Sequence, residues 1–443
     1  MKENEKIIKA PVVDENAKLT KSKICLFSLQ HLLAMSASTI LVAVLTGLPI
    51  DVTILSSGIG TLFYIFITKG RSPLYLGSSF AFIAPISSAL ALGATLSETG
   101  QILSNPNYGA VMGGIIMVGA VYCLVGIMIK FLGTNWLTKL LPARVIGPVI
   151  LVIGLGLAGT AVTMAKTNTP IALITLAIVI LVSVYMKGVL QLLPVLIAIV
   201  AGYTIALFAG IVDFAPVMQA SWFALPDFAF LKAVPEFNFS IAAIMIPVTF
   251  AVLPEHIGDH TVASTLIGRD LLKDPGLSRT IIGDGVATMV AGLLGGPVNT
   301  TYGENIGVMT LTKVASSKLT AGAAILAVVL SFFGKFIALI ASIPTAVMGG
   351  VSVLLFGSIA ASGAMMLVNN KIDLGDRVNL SVVAVVLIFG IGNFTIPLGS
   401  VTLSGMAVAA IAGIVVDQGI RLVGYILQKL KGKKAIEDTK DIV

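Results

Sequence analysis

Five acidic residues sit inside apolar runs of this sequence: Glu255, Asp259, Asp284, Glu304 and Asp417. Placing a charge among apolar helices costs about 2.5–3.5 kcal/mol on insertion scales, so each acid calls for a reason. Glu255 and Asp259 are four residues apart, which puts both carboxylates on one face of a helix. Two acids so placed in a low dielectric cannot both ionise cheaply, and one of them is expected to hold a proton. Such a pair can bind a polar ligand and exchange a proton. Glu304 follows Gly303 at the mouth of a helix, where a carboxylate either caps the helix or faces a ligand beside free amides. Phe80 stands at a second such break and could stack on a flat ligand. Asp417 has Arg421 one turn later and reads as a structural ion pair. Asp284 reads as a helix cap or a packing residue. Of the three histidines, His31 follows Gln30, and His256 and His260 flank Asp259. Gln30, His31 and His256 read as support for the breaks. No nucleophile–base pair and no metal-ligand cluster stands out, so neither an enzyme nor a metal site is expected. Cys25 and Cys123 read as small core residues.

These residues need elements to hold them, and composition says which. Hydrophobic residues make up 57% of the 443 and charged residues 11%, with a mean hydropathy of +1.02. A soluble domain carries roughly 25% charged residues, so lipid must cover this chain. Runs of about 20 apolar residues, enough to span a bilayer, lie near 24–48, 52–68, 109–129, 145–165, 168–186, 188–211, 239–265, 280–296, 314–342, 344–368, 378–397 and 402–427. Interrupted runs at 73–95 and 298–312 bring the total to about fourteen.

Charge supports this count. Of the 28 basic residues only Lys166, Lys232 and Lys335 fall on the outer side. Both termini are therefore expected in the cytoplasm of a multi-pass plasma-membrane (bacterial inner-membrane) protein. The same asymmetry explains the +7 net charge without nucleic acid as a partner. The polar start of the chain predicts no cleavable signal peptide. The stretch 212–237, with Trp222 and several Phe, predicts an external interfacial loop with an amphipathic helix. The tails, 1–22 and 430–443, are expected to be disordered.

The interrupted runs occupy the third and tenth places of fourteen. One reads Tyr75-Leu76-Gly77-Ser78-Ser79-Phe80, the other Asn299-Thr300-Thr301-Tyr302-Gly303-Glu304-Asn305. Two halves of seven must be mutually inverted, since seven is odd. The predicted fold is thus an all-α membrane protein, a 7+7 inverted repeat whose segments 3 and 10 are discontinuous and carry short extended stretches. That arrangement marks secondary transporters that hold substrate near the midplane.

At these residues the sequence resembles the nucleobase–ascorbate transporter family, and within it the bacterial uracil permeases. The signature appears as Glu304-Asn305-Ile306-Gly307 followed by Thr312-Lys313. Gln30-His31, Tyr75 to Phe80, Glu255-His256-Ile257-Gly258, Asp274-Pro275-Gly276 and Asn299 to Glu304 also match, and the resemblance covers about 24–428. It implies a proton-coupled uracil symporter working by alternating access, with the proton as coupling ion and no other cofactor. It also implies a core domain (23–135 and 238–342), a gate domain (136–237 and 343–429) and a homodimer formed through the gate. Carried over, Glu255, Glu304 and the backbone amides of Phe80 and Gly303 would contact the base. Tyr302 and Ser79 would line the site, with Asn305 supporting the break. Proton coupling would fall among Glu255, Asp259, Glu304 and His260. Two positions depart from the pattern. Asp259 stands where uracil permeases have a histidine, with His260 about 100° further round the helix. Phe356 replaces a tyrosine. The alternatives are a purine (xanthine or urate) permease of the same family and an anion exchanger or channel on the same architecture.

Overall fold

Thr20 accepts a hydrogen bond from the Lys23 amide and so opens the first helix, α1 (Lys21–Thr46). Gly47 closes it at φ +75°, a left-handed conformation that costs glycine nothing. Capping recurs where the sequence supplies it. Asn107 caps α4 (Tyr108–Leu132), and Asn238 caps α5 (Phe239–Ile267). Between α1 and α4 lie α2 (Ile50–Ile67), the strand β1 (Leu76–Ser78) and α3 (Ile83–Leu90). After α5 come α6 (Leu277–Leu294), the strand β2 (Asn299–Thr301), α7 (Gly303–Thr312) and α8 (Ser317–Ser331). This computed structural model describes residues 13, 19–92, 95–96, 102–104, 106–398, 401–403 and 405–440.

Among the described residues, eight helices are long and apolar enough to cross a membrane, and a ninth crossing is made if α8 and Gly334–Ala341, bent by 85°, count as one. The chain is a multi-pass membrane protein. The apolar helices Phe80–Leu90, Thr169–Tyr185, Pro194–Phe208 and Arg377–Ile391 are shorter than the roughly 20 residues of a full crossing. Length alone therefore counts eight or nine crossings rather than fourteen.

The chain packs as two compact units, 1–133 with 157–357 and 134–156 with 358–443. In the first, α4 lies close against α6 where Gly119 and Gly285 meet. A methyl group at Gly119 would come within 2.5 Å of the Gly285 carbonyl oxygen, and one at Gly285 within 2.6 Å of that of Gly119. Without a hydrophobic drive between helices in lipid, this close approach is what joins them. In the second unit, buried Asp417 accepts from Arg144 Nε at 2.5 Å and pairs with Arg421 Nε at 2.9 Å. Arg144 also donates to Asn379 at 3.1 Å. The Arg421 pair was legible from its spacing, whereas Arg144 lies 273 residues away.

Three expectations need correction. Cys25 is exposed, because the start of α1 turns that face away from the protein. Residues 430–440 continue the last helix (Gly405–Lys440) instead of forming a structureless tail. On the N-terminal side, Val13 is 2% exposed and its amide donates to the Leu266 carbonyl at 3.2 Å. The rest of that tail up to residue 18 lies outside the described residues. The stretch 212–237 carries no long amphipathic helix, just the five-residue helix Ala215–Gln219 and a single 3-10 turn, Ala229–Leu231. Lys335 pins it by donating to the carbonyls of Val217 and Met218 at 3.1 and 3.0 Å. Asp227, accepting from Lys232, holds that ammonium above the ordinary lysine range.

Candidate functional site

Two short strands form the floor of the site. β1 and β2 pair antiparallel, Leu76 with Thr301, Gly77 with Thr300 and Ser78 with Asn299. The Tyr302 amide donates to the Tyr75 carbonyl at 3.1 Å, and the Ser79 amide to the Val298 carbonyl at 2.9 Å, which extends the ladder at both ends. Pairing satisfies backbone groups that lipid could not. Glycine is required at 77, since a methyl group there would run into the Tyr302 ring. Outside the ladder, side chains complete the bonding. Thr61 accepts from the Leu76 amide at 3.0 Å, and Asn305 Oδ1 accepts from the Tyr75 amide at 2.8 Å. That second bond fixes the orientation of the Asn305 amide. Its Nδ2 then donates to His31 Nδ1 at 3.1 Å, so the ring proton of His31 sits on Nε2.

Above this floor the chain opens. Glu255, Gly258, Gly303 and Glu304 are exposed, and Asp259 and Phe80 partly so, while residues 74–79 and 298–302 around them are buried. Glu255 lies within electrostatic reach of Asp259 and Glu304, so the structure brings the three acids together. Their positions have local causes. Pro254 within α5 cannot donate to the carbonyl four residues earlier, which loosens the helix at Glu255. Gly303 and Glu304 are the first residues of α7, whose leading amides have no intrahelical acceptor. Ser38 donates to Glu304 Oε1 at 2.8 Å, and Thr301 to Asp259 Oδ2 at 2.6 Å. The result is an accessible group of carboxylates beside helix-opening amides. It can accept from the N–H groups of a ligand and donate to its carbonyls.

Other expected site residues lie deeper. Ser79 and Tyr302 are 1% and 4% exposed. The Tyr302 hydroxyl donates to the Ser78 carbonyl at 3.0 Å and lies 3.2 Å from Thr39 Oγ1. Phe80 meets Phe356 edge to face, with ring centroids 6.3 Å apart. His260 is fully buried, with Nδ1 2.7 Å from the His256 carbonyl and Nε2 2.7 Å from the Tyr64 hydroxyl. Both of its nitrogens are thus occupied away from the opening. His256 lies 3.0 Å from Asp284 and 3.1 Å from Thr280. Asp284 stands in the middle of α6 and caps nothing. Gln30 Oε1 is buried and makes no hydrogen bond among the described residues. Sequence reasoning missed Ser38, Thr39, Thr61, Tyr64 and Thr280. Their only signal was a hydroxyl inside an apolar run, which many residues here share. Among the described residues no three His, Cys, Asp or Glu side chains are grouped to hold a metal ion.

Residues 22–399 match the profile of the Permease family. The chain is 49% identical to the uracil permease of Bacillus subtilis (strain 168) over 88% of its length and 91% of that protein. It is 47% identical to that of Bacillus caldolyticus over 92% and 94%. The uracil permease of Escherichia coli (strain K12) shares 41% over 94% of each. Among solved structures, the murine Solute Carrier 26 family member A9 anion transporter in its inward-facing state aligns with a TM-score of 0.64 at 11% identity. That alignment covers 92% of this chain and 70% of the other. The transmembrane domain of the cyanobacterial bicarbonate transporter BicA aligns at 0.61 and 15%, covering 91% and 99%. At such identities these two report a shared fold alone.

Proposed function

The chain belongs to the Permease family, and from that premise we propose that it imports uracil together with protons. The observation that carries this reading is the accessible pair Glu255 and Glu304, set beside the opening amides of α7 above a floor of paired strands. Uracil is flat and neutral, with N–H donors and C=O acceptors along one edge. Glu255 and Glu304 accept from the N–H groups, and the amides of Gly303 and Phe80 donate to the carbonyls. Phe80, held by Phe356, covers the ring. The names of the relatives support this substrate. Protons enter and leave through the acids Glu255, Asp259 and Glu304.

Fourteen segments, several of them paired half-helices, form two inverted halves, and the antiparallel register of β1 and β2 supports that inversion. A core built from segments 1–4 and 8–11 moves against a gate of segments 5–7 and 12–14, which also joins two copies into a homodimer. The protein lies in the plasma membrane with both termini in the cytoplasm. An anion exchanger would need an electropositive site, and accessible carboxylates argue against one.

Uptake of labelled uracil into proteoliposomes tests the reading. An inward proton gradient is expected to drive accumulation, with xanthine a poor competitor. Uptake indifferent to the gradient would refute proton coupling, and strong inhibition by xanthine would move the assignment to purines.

A further inference from the structure

Directly behind the accessible acids lies a buried histidine–aspartate pair that uracil binding does not use. His256 Nδ1 and Asp284 Oδ2 are 3.0 Å apart, with side chains 1% and 2% exposed. On the other edge of the ring, His256 Nε2 lies 3.1 Å from Thr280 Oγ1. The Thr280 hydroxyl also reaches the Leu277 carbonyl at 3.0 Å. A carbonyl can only accept, so in that bond the single hydroxyl hydrogen belongs to Leu277. Nε2 must then donate to Thr280 and carry its own hydrogen. A second hydrogen is needed between Nδ1 and Oδ2, which therefore share one. The pair then holds two protons and is neutral overall, whether written as imidazolium with carboxylate or as imidazole with carboxylic acid.

Turning one hydroxyl changes this count. If Thr280 rotates its hydrogen from Leu277 to His256, Nε2 becomes an acceptor and loses its proton. Nδ1–H still donates to Asp284, and the pair carries one proton and one negative charge. The site thus has a loaded and an unloaded form that differ by one proton and one hydroxyl rotation, with every hydrogen bond of the ring kept.

We propose that the His256–Asp284 pair holds the proton that travels with the substrate. This rests on the transport reading above and names the carrier within it. While uracil is bound, Glu255 and Glu304 are occupied as acceptors for its N–H groups and Asp259 accepts from Thr301 at 2.6 Å, so these acids pass the coupled proton on and another group holds it. The pair is one residue along α5 from Glu255, which lies within electrostatic reach of Asp284. Neutral when loaded, the pair makes movement through a low dielectric cheap. The other titratable groups facing Asp284 are Tyr64 of α2, Tyr122 and Cys123 of α4, and Asp259 of α5. The His260 ring stacks on His256 at 4.3 Å. Asp284 Oδ1 and the Tyr122 hydroxyl, both buried, make no hydrogen bond among the described residues. The carboxylate therefore keeps a free oxygen through which a proton can arrive.

The test uses proteoliposomes containing the full chain and an entrapped pH-sensitive dye. Wild type is expected to acidify the lumen when uracil is added outside. Asp284→Asn is expected to lose that proton entry at least about tenfold, while exchange of labelled for unlabelled uracil remains measurable. Uracil-evoked proton entry at the wild-type ratio in Asp284→Asn overturns the proposal. Should that variant fail to fold, Thr280→Val keeps the pair and removes the rotating hydroxyl. It is expected to move the midpoint of the pH–uptake curve by about one unit, and an unmoved midpoint overturns the proposal. If wild type neither exchanges nor accumulates uracil, the transport reading itself fails. A pH-difference infrared spectrum then still reads the pair without substrate. A band that titrates in wild type and is absent from Asp284→Asn supports the proposal, and identical spectra refute it.

Discussion

Tyr302 offers a way to separate what holds the site from what touches the ligand. Its hydroxyl is buried and donates to the Ser78 carbonyl at 3.0 Å. The ladder does not satisfy that carbonyl, because Ser78 and Asn299 form a non-hydrogen-bonded pair whose polar groups point away from the facing strand, the Asn299 amide donating to Thr288 Oγ1 at 3.3 Å. Tyr302→Phe therefore leaves a buried acceptor without its donor, at a cost of about 1–3 kcal/mol. Thr39, 3.2 Å from the same hydroxyl, loses little, since it keeps its bond to the Met35 carbonyl at 3.1 Å. The loss should appear in stability, because both partners belong to the floor of the site and neither hydrogen reaches the opening. Thermal unfolding of purified protein is expected to shift down by several degrees. Uracil affinity measured by calorimetry should change less than about threefold, which is under 1 kcal/mol. The reverse pattern, an unchanged melting temperature with affinity weakened tenfold or more, would place the hydroxyl on the ligand and refute this reasoning.

Glu304→Gln removes a charged acceptor worth about 1.5–3 kcal/mol, so calorimetry should find uracil binding about 10- to 150-fold weaker; unchanged binding would exclude Glu304 from the contact. Ser38→Ala takes away a hydroxyl donor to Glu304 Oε1 and should cost about 1 kcal/mol of affinity, which the same titration reads. In the second unit, Arg144→Met should lower thermal stability more than Arg421→Met. The Arg144 side chain is 21% exposed against 39% for Arg421, and removing the more buried partner of Asp417 leaves its charge less compensated. Gly285→Leu should abolish a monodisperse peak in size-exclusion chromatography, because α4 leaves no room for a side chain there.

Much of the architecture was legible because lipid imposes a simple rule on composition. Apolar length marked the long helices, and polar, glycine-containing breaks marked the strands at 76–78 and 299–301. The gathering of Glu255, Asp259 and Glu304 followed from scarcity, since an acid in an apolar run has few places to go. What stayed hidden was pairing over long distances along the chain. Ser38 reaches Glu304 across 266 residues, and Tyr64 reaches His260 across 196. No periodicity encodes those contacts. Of the two readings of Asp284, a cap or a packing residue, the cap fails, because the residue stands mid-helix and its partner His256 lies on another helix. Cys25 failed on a different count, because an apolar neighbourhood in a membrane protein says nothing about whether a residue meets protein or lipid.

The pairing of β1 with β2 also bears on how the chain is made. Leu76 and its partner Thr301 are 225 residues apart. At about 5–20 residues per second of synthesis, the first strand waits roughly 10–45 seconds for the second to emerge. During that interval its amides and carbonyls have no ladder and cannot rest in hydrocarbon. The early helices must therefore keep this segment in contact with water, or with the insertion machinery, until the late strand arrives. An amino-terminal half released on its own would remain an unfinished membrane protein, exposed to quality-control proteases.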